Sequence, residues 1–181
     1  IFDIKTPRLY HARLMTAQNI VINSLEFARK SHAIHDIIAA SQLTRLKERL
    51  ASNAGSLDWS LVGEVSSSGE LVLNFELKGM LTVPCQRCLE PIQLDLNIKS
   101  KFILVKDESE ISLEDEGMDD KDYLVASEEF DVMQLVEDEI LLAIPYATMH
   151  DIKDCPAKDR LSELKAPNPF ASLKDFKAVK N

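Results

Sequence analysis

Residues Leu71–Val105 read LVLNFELKGMLTVPCQRCLEPIQLDLNIKSKFILV, and the spacing of their apolar positions decides the fold. Leu71, Leu73, Phe75 and Leu77 alternate with polar or smaller neighbours, and after the second proline Ile92, Leu94, Leu96 and Ile98 do the same. A period of two is the signature of a strand with one face on a core, because successive side chains point to opposite faces. The pattern predicts a strand over Leu71–Gly79, a short strand MLTV over Met80–Val83 and a strand over Ile92–Val105. PCQRCLEP, Pro84–Pro91, then becomes a hairpin turn with two cysteines in it.

Upstream, DWSLVGEV (Asp58–Val65) alternates as well, and SSSGE (Ser66–Glu70) is turn chemistry. Together these segments predict an antiparallel β-meander of about four or more strands. YLVAS (Tyr123–Ser127) is a candidate further strand, and Leu25–Ala28 alternates like a short one. Two helices complete the reading. In Gln42–Leu50, Leu43, Leu46 and Leu50 fall at i, i+3 and i+7 among Arg45, Lys47 and Arg49, with Ser41 as N-cap and an end near Ser52–Gly55. In Asp131–Pro145, Val132, Leu135, Val136, Ile140 and Leu141 make an apolar stripe, Asp131 caps it and Pro145 closes it. The predicted class is α+β, a meander packed with two main helices. One domain is expected over 1–160, with an acidic mobile loop at 107–122 and a docking tail at 161–181.

Composition narrows the function. Of 181 residues, 45% are hydrophobic and 28% charged, a balance that supports both a core and a wet surface. No apolar run approaches the roughly 20 residues that span a bilayer, and the first residues, IFDIKTPRLYHARL, have no apolar signal core. Trimming of an initial Met is expected from its absence. Three cysteines are too few for a disulfide framework, which points to a reducing cytoplasm. The net charge of −9 is concentrated: residues 101–145 hold three Lys/Arg against fifteen Asp/Glu, a net −12. Such a block repels phosphates and suits a basic protein partner. Small basic clusters remain at Arg8/Arg13, Arg29/Lys30 and Arg45/Lys47/Arg49, the candidates for local contact with RNA.

Cys85 and Cys88, with two residues between them, admit three readings. They can share one metal ion, do redox chemistry, or be ordinary reduced thiols on a turn. A tetrahedral zinc site needs two more ligands, and MHDIKDCP supplies His150 and Cys155, with Asp151 and Asp154 as substitutes. The redox reading calls for a helix opening at the motif, whereas this motif joins two strands. His11, His32 and His35 form no catalytic set, and His32 and His35 are read as surface residues near a helix start. No Gly-rich phosphate loop is present. Glu137, Asp138 and Glu139 are read as a solvated helix face. Asn168-Pro169-Phe170 is a short candidate recognition word in the tail.

Four motifs in order carry a resemblance: CQRCLEP at Cys85–Pro91, VEDEILLAIP at Val136–Pro145, HDIKDC at His150–Cys155 and KAPNPFASLK at Lys165–Lys174. With them the chain resembles the bacterial YceD family, the large ribosomal RNA subunit accumulation proteins. The resemblance runs to about Lys174, is strongest from Leu81 onward, and is thin over residues 1–60. It implies a role in synthesis, processing or stability of 23S rRNA, as a non-enzymatic binding and assembly protein. It also implies a shared site of Cys85, Cys88, His150 and Cys155, holding one structural zinc. The expected partners are a large-subunit ribosomal protein or assembly intermediate. The expected contacts are Arg45, Lys47 and Arg49, the acidic Glu137, Asp138 and Glu139, and the tail's Asn168, Pro169 and Phe170. Direct rRNA binding by the basic helix is the alternative, and an rRNA-processing hydrolase, for which the chain has no recognisable active site, a third.

Overall fold

A computed structural model describes residues 8–9, 20–111 and 122–158 of the chain. Its centre is an antiparallel meander, the expected one extended by an unforeseen first strand: β3 (His32–Ala39), β4 (Ser56–Val65), β5 (Leu71–Pro84) and β6 (Pro91–Val105), each antiparallel to the next. Two short strands, β1 (Arg8–Leu9) and β7 (Asp122–Val125), add in parallel at the two edges, giving the order β1-β3-β4-β5-β6-β7. A separate two-stranded ribbon pairs β2 (Val21–Ile22) with β8 (Phe130–Asp131).

MLTV is not a separate strand but the far end of β5. At Gly79 the chain passes the start of β4, where a Cβ would stand 2.6 Å from the Ser56 carbonyl oxygen, and φ is +151°. A glycine tolerates both the contact and the conformation. Beyond it β5 continues in register with β6 as far as Pro84 opposite Pro91. The hairpin therefore projects past β4, and the cysteine turn sits at its tip.

Two segments differ from expectation before β4. Leu25–Ala28 lies in a helix, α1 (Ser24–Arg29), whose N-cap Asn23 accepts a hydrogen bond from the Glu26 N–H at 3.0 Å. This helix lies directly on β4: a Cβ on Gly63 would meet the Ala28 Cα and the Phe27 oxygen at 2.7 Å. The stretch holding His32 and His35 is strand β3, not a helix start; His35 is exposed and its Nε2 lies in hydrogen-bond contact with the Asp58 carboxylate at 2.8 Å. The predicted helix over Gln42–Leu50 does not form. A 3-10 turn at Ala40–Gln42 is followed by irregular turns. Leu43 and Leu46 are buried as the spacing requires, but backbone donors bond across the molecule: Arg45 N–H to the Glu137 carboxylate (3.2 Å) and Ala51 N–H to the Thr82 carbonyl (2.8 Å).

The long helix, α2 (Val132–Ala143), follows the sequence closely. The Asp131 carboxylate accepts from the Met133 and Gln134 N–H groups, and the helix ends before Pro145. Val132, Leu135, Val136 and Ile140 join Trp59, Leu61, Phe75, Leu77 and Phe27 in one core on one face of the sheet. Burial of a Leu or Phe side chain contributes about 1.5–3 kcal/mol, so this face dominates the stability. Most of the expected acidic loop, and the whole tail from 161 to 181, lie outside the described residues.

Candidate metal centre

The tip of the β5–β6 hairpin is a knuckle. The Cys85 N–H donates to the Glu90 carbonyl at 2.9 Å, the Leu89 N–H to the Cys85 carbonyl at 2.9 Å, and the Arg87 N–H to the Cys85 sulfur at 3.4 Å. To close this turn, Leu89 adopts φ +66°. The result aims both sulfurs to one side, with Cys85 buried and Cys88 half-buried.

The chain leaving α2 is strapped across that side. Gln86 N–H donates to the Thr148 carbonyl at 2.9 Å. The Arg87 Nη2 donates to the His150 carbonyl at 3.2 Å and lies 3.7 Å from the Met149 sulfur. A turn then brings Cys155 back, its N–H and that of Asp154 both donating to the Asp151 carbonyl at 3.0 Å. Cys155 is buried and His150 half-buried.

Cys85, Cys88, His150 and Cys155 thus converge, with one ligand atom from each all within 4.8 Å of one another. The Cys88 sulfur lies 3.4 Å from His150 Nδ1, although 62 positions separate them in sequence. A tetrahedron built on metal–sulfur bonds of about 2.3 Å and metal–nitrogen bonds of about 2.0 Å has a sulfur–nitrogen edge of about 3.5 Å. The donor set therefore fits a metal ion with no aspartate; Asp151 and Asp154 are exposed and are not among the converging groups.

The electrostatics favour a cation. Burial pushes the Cys85 thiol up, but backbone N–H groups of Cys88, His150 and Arg87 aimed at its sulfur lower it, to about 5 overall. For Cys88, burial pushes the thiol up; the Glu90 backbone opposes this, while the Cys85 and Cys155 sulfurs add to it. Three free sulfurs crowd together, and crowded thiolates repel unless a cation lies between them. The redox reading loses its geometric basis, since the motif is a hairpin turn and opens no helix.

The other candidate residues lie away from this cluster, and three of them, Arg45, Glu137 and Asp138, meet one another. Arg45 pairs with Asp138 at 2.5 Å, Glu137 is only 7% exposed and accepts from Arg45 N–H and Thr44 Oγ1, and Glu139 accepts from Ser100 Oγ. Glu137 is therefore a core-facing residue and not part of a solvated face. Lys47 and Arg49 are exposed on the turns after Leu46. Asn168, Pro169 and Phe170 lie outside the described residues. Arg87 is the site residue that spacing overlooked; its place between the two cysteines was the available signal.

The family described as "Large ribosomal RNA subunit accumulation protein YceD" matches residues 73–177, more than half of the chain. The protein from Haemophilus influenzae named "Large ribosomal RNA subunit accumulation protein YceD" is 29% identical over 152 residues, covering 77% of this chain and 84% of its own. No solved structure matches.

Proposed function

Because the chain belongs to the YceD family of large ribosomal RNA subunit accumulation proteins, we propose that it is a cytoplasmic ribosome-biogenesis factor that supports the synthesis, processing or stability of 23S rRNA. It acts by binding, not by catalysis. The observation that carries this reading is that the family match spans both halves of the metal centre, the knuckle and the strap. One structural zinc, bound by Cys85, Cys88, His150 and Cys155, staples the segment after α2 to the tip of the hairpin.

The partner is a basic large-subunit protein or an assembly intermediate that contains one. Charge placement supports this. β6 and β7 run parallel, so the residues after both leave the sheet at one end. Asp107, Glu108, Glu110, Glu128 and Glu129 are exposed there, with Lys106 beside them. Purified full-length chain is expected to bind free large-subunit proteins or precursor particles, with affinity that falls as salt rises. Absence of any salt-sensitive binding to either sinks the proposal. A second reading, direct contact with rRNA, draws on Lys47 and Arg49, which are exposed, with Arg45 already held by Asp138. Charge reversal at Lys47 and Arg49 reduces RNA retention if that contact exists and leaves it unchanged if not.

A further inference from the structure

The knuckle and the strap are joined by more than the four ligands. Of the turn's side chains other than the ligands, Arg87 reaches across. Its Nη2 donates to the carbonyl of His150, the residue that supplies the only nitrogen ligand, and approaches the sulfur of Met149 beside it. Its own backbone N–H donates to the Cys85 sulfur. One residue therefore contacts a ligand sulfur on the knuckle and the backbone of the ligand on the strap.

We propose that Arg87 is the positioning residue of the metal centre, clamping His150 against the knuckle so that the fourth ligand is in place before the ion arrives. The inference rests on the zinc reading above and deepens it. Knuckle cysteines sit in one turn and are preorganised by local hydrogen bonds. His150 has no such local constraint, since 62 residues of chain separate it from Cys88. The Gln86–Thr148 bond holds the strap two residues earlier, but leaves the rotation of His150 open. A guanidinium suits the task because its rigid fork offers several N–H donors in a plane, so one head group can serve a carbonyl and a thioether together. An ammonium is a single point charge on a flexible stem and does not fix direction in the same way.

The test uses full-length protein, zinc and a competing chromophoric chelator. Outer residues that orient metal ligands typically contribute about 10–100-fold in metal affinity. Arg87→Ala is expected to keep zinc binding but weaken it within that range, while far-ultraviolet dichroism stays that of the parent. Arg87→Lys keeps the charge and the stem, and covers the case in which the alanine variant folds poorly; it also weakens binding. Cobalt supplies a readout that a general loss of stability does not move. The parent gives the absorption of a tetrahedral site with three thiolates and an imidazole, and Arg87→Ala shifts toward a site with water in place of His150. Zinc affinity within about twofold of the parent for either folded variant, against the 10–100-fold expected, overturns the role of Arg87 and leaves the staple standing. A parent that takes up no zinc removes the staple, and the positioning role with it.

Discussion

Leu89 stands in the left-handed region at φ +66° with its side chain 75% exposed. An L-residue other than glycine or asparagine is disfavoured there by about 1–2 kcal/mol, and an exposed leucine recovers nothing by packing. Glycine removes the strain and adds about 0.5–1 kcal/mol of unfolded-state entropy. Leu89→Gly is therefore expected to stabilise the protein by up to about 1 kcal/mol, a rise of a few degrees in unfolding midpoint on the scale of roughly 2–4 °C per kcal/mol. A lower midpoint in thermal unfolding would show that the leucine makes a stabilising contact. The ligands around it were legible as residue types: two cysteines at a turn with a His and a Cys after the last helix. Their convergence on one site was expected from the residue types and the resemblance, but not the path that brings it about, because nothing in spacing states how a strap 62 positions away bends back to the turn. The backbone bonds that do this, Gln86 to Thr148 and Asp154 and Cys155 to Asp151, carry no sequence preference.

At the scale of elements, local pattern succeeded where the local period and the tertiary environment agree. β4, β5, β6 and α2 each show one clear period, and each lies with its apolar face on the same core. Gln42–Leu50 fails for a physical reason: Leu43 and Leu46 are buried as a helix would bury them, but the Arg45 N–H finds its acceptor in Glu137 and the Ala51 N–H, just beyond, in Thr82, and the single bond four residues back from Leu50 to Leu46 is not extended into a helix. Propensity is a weak preference that such contacts override. Conversely, Asn23 three residues before Glu26 was a readable helix start. The Glu137 contact gives a comparison of magnitudes. Glu137→Ala leaves the Arg45 N–H and the Thr44 hydroxyl without their acceptor and is expected to destabilise by about 1–2 kcal/mol. Asp138→Ala breaks the neighbouring pair with Arg45, whose partners are 46% and 42% exposed, and is expected to cost less than about 1 kcal/mol. Chemical denaturation of both variants checks the order. An equal or reversed loss would mean that Glu137 is held by solvent and not by the turn it caps.

At the scale of the whole molecule, the hairpin separates two poles. β6 spans fifteen residues, up to about 45 Å at the rise of an extended strand. The cysteine knuckle occupies one end and the acidic residues after β6 and β7 the other. The core that joins them, from Phe27 and Ile34 through Trp59 and Phe75 to Ile140, includes none of the four ligands. Metal removal should therefore act locally. Loss of the ion leaves three sulfurs and a histidine with no cation between them, and among the described residues the strap then keeps the Gln86 and Arg87 bonds and the Cys88–His150 contact. Chelation, or Cys88→Ser, is expected to remove about one zinc per chain and to lower the unfolding midpoint. Hydrogen exchange should then rise in residues 85–90 and 146–158. Amides of β4 and β5 around Trp59, Phe75 and Leu77 should keep their protection, because segments open in cooperative units set by their own buried contacts. If the sheet amides exchange as soon as the strap does, the zinc holds the fold itself, and the acidic pole would no longer survive metal loss as an independent binding surface.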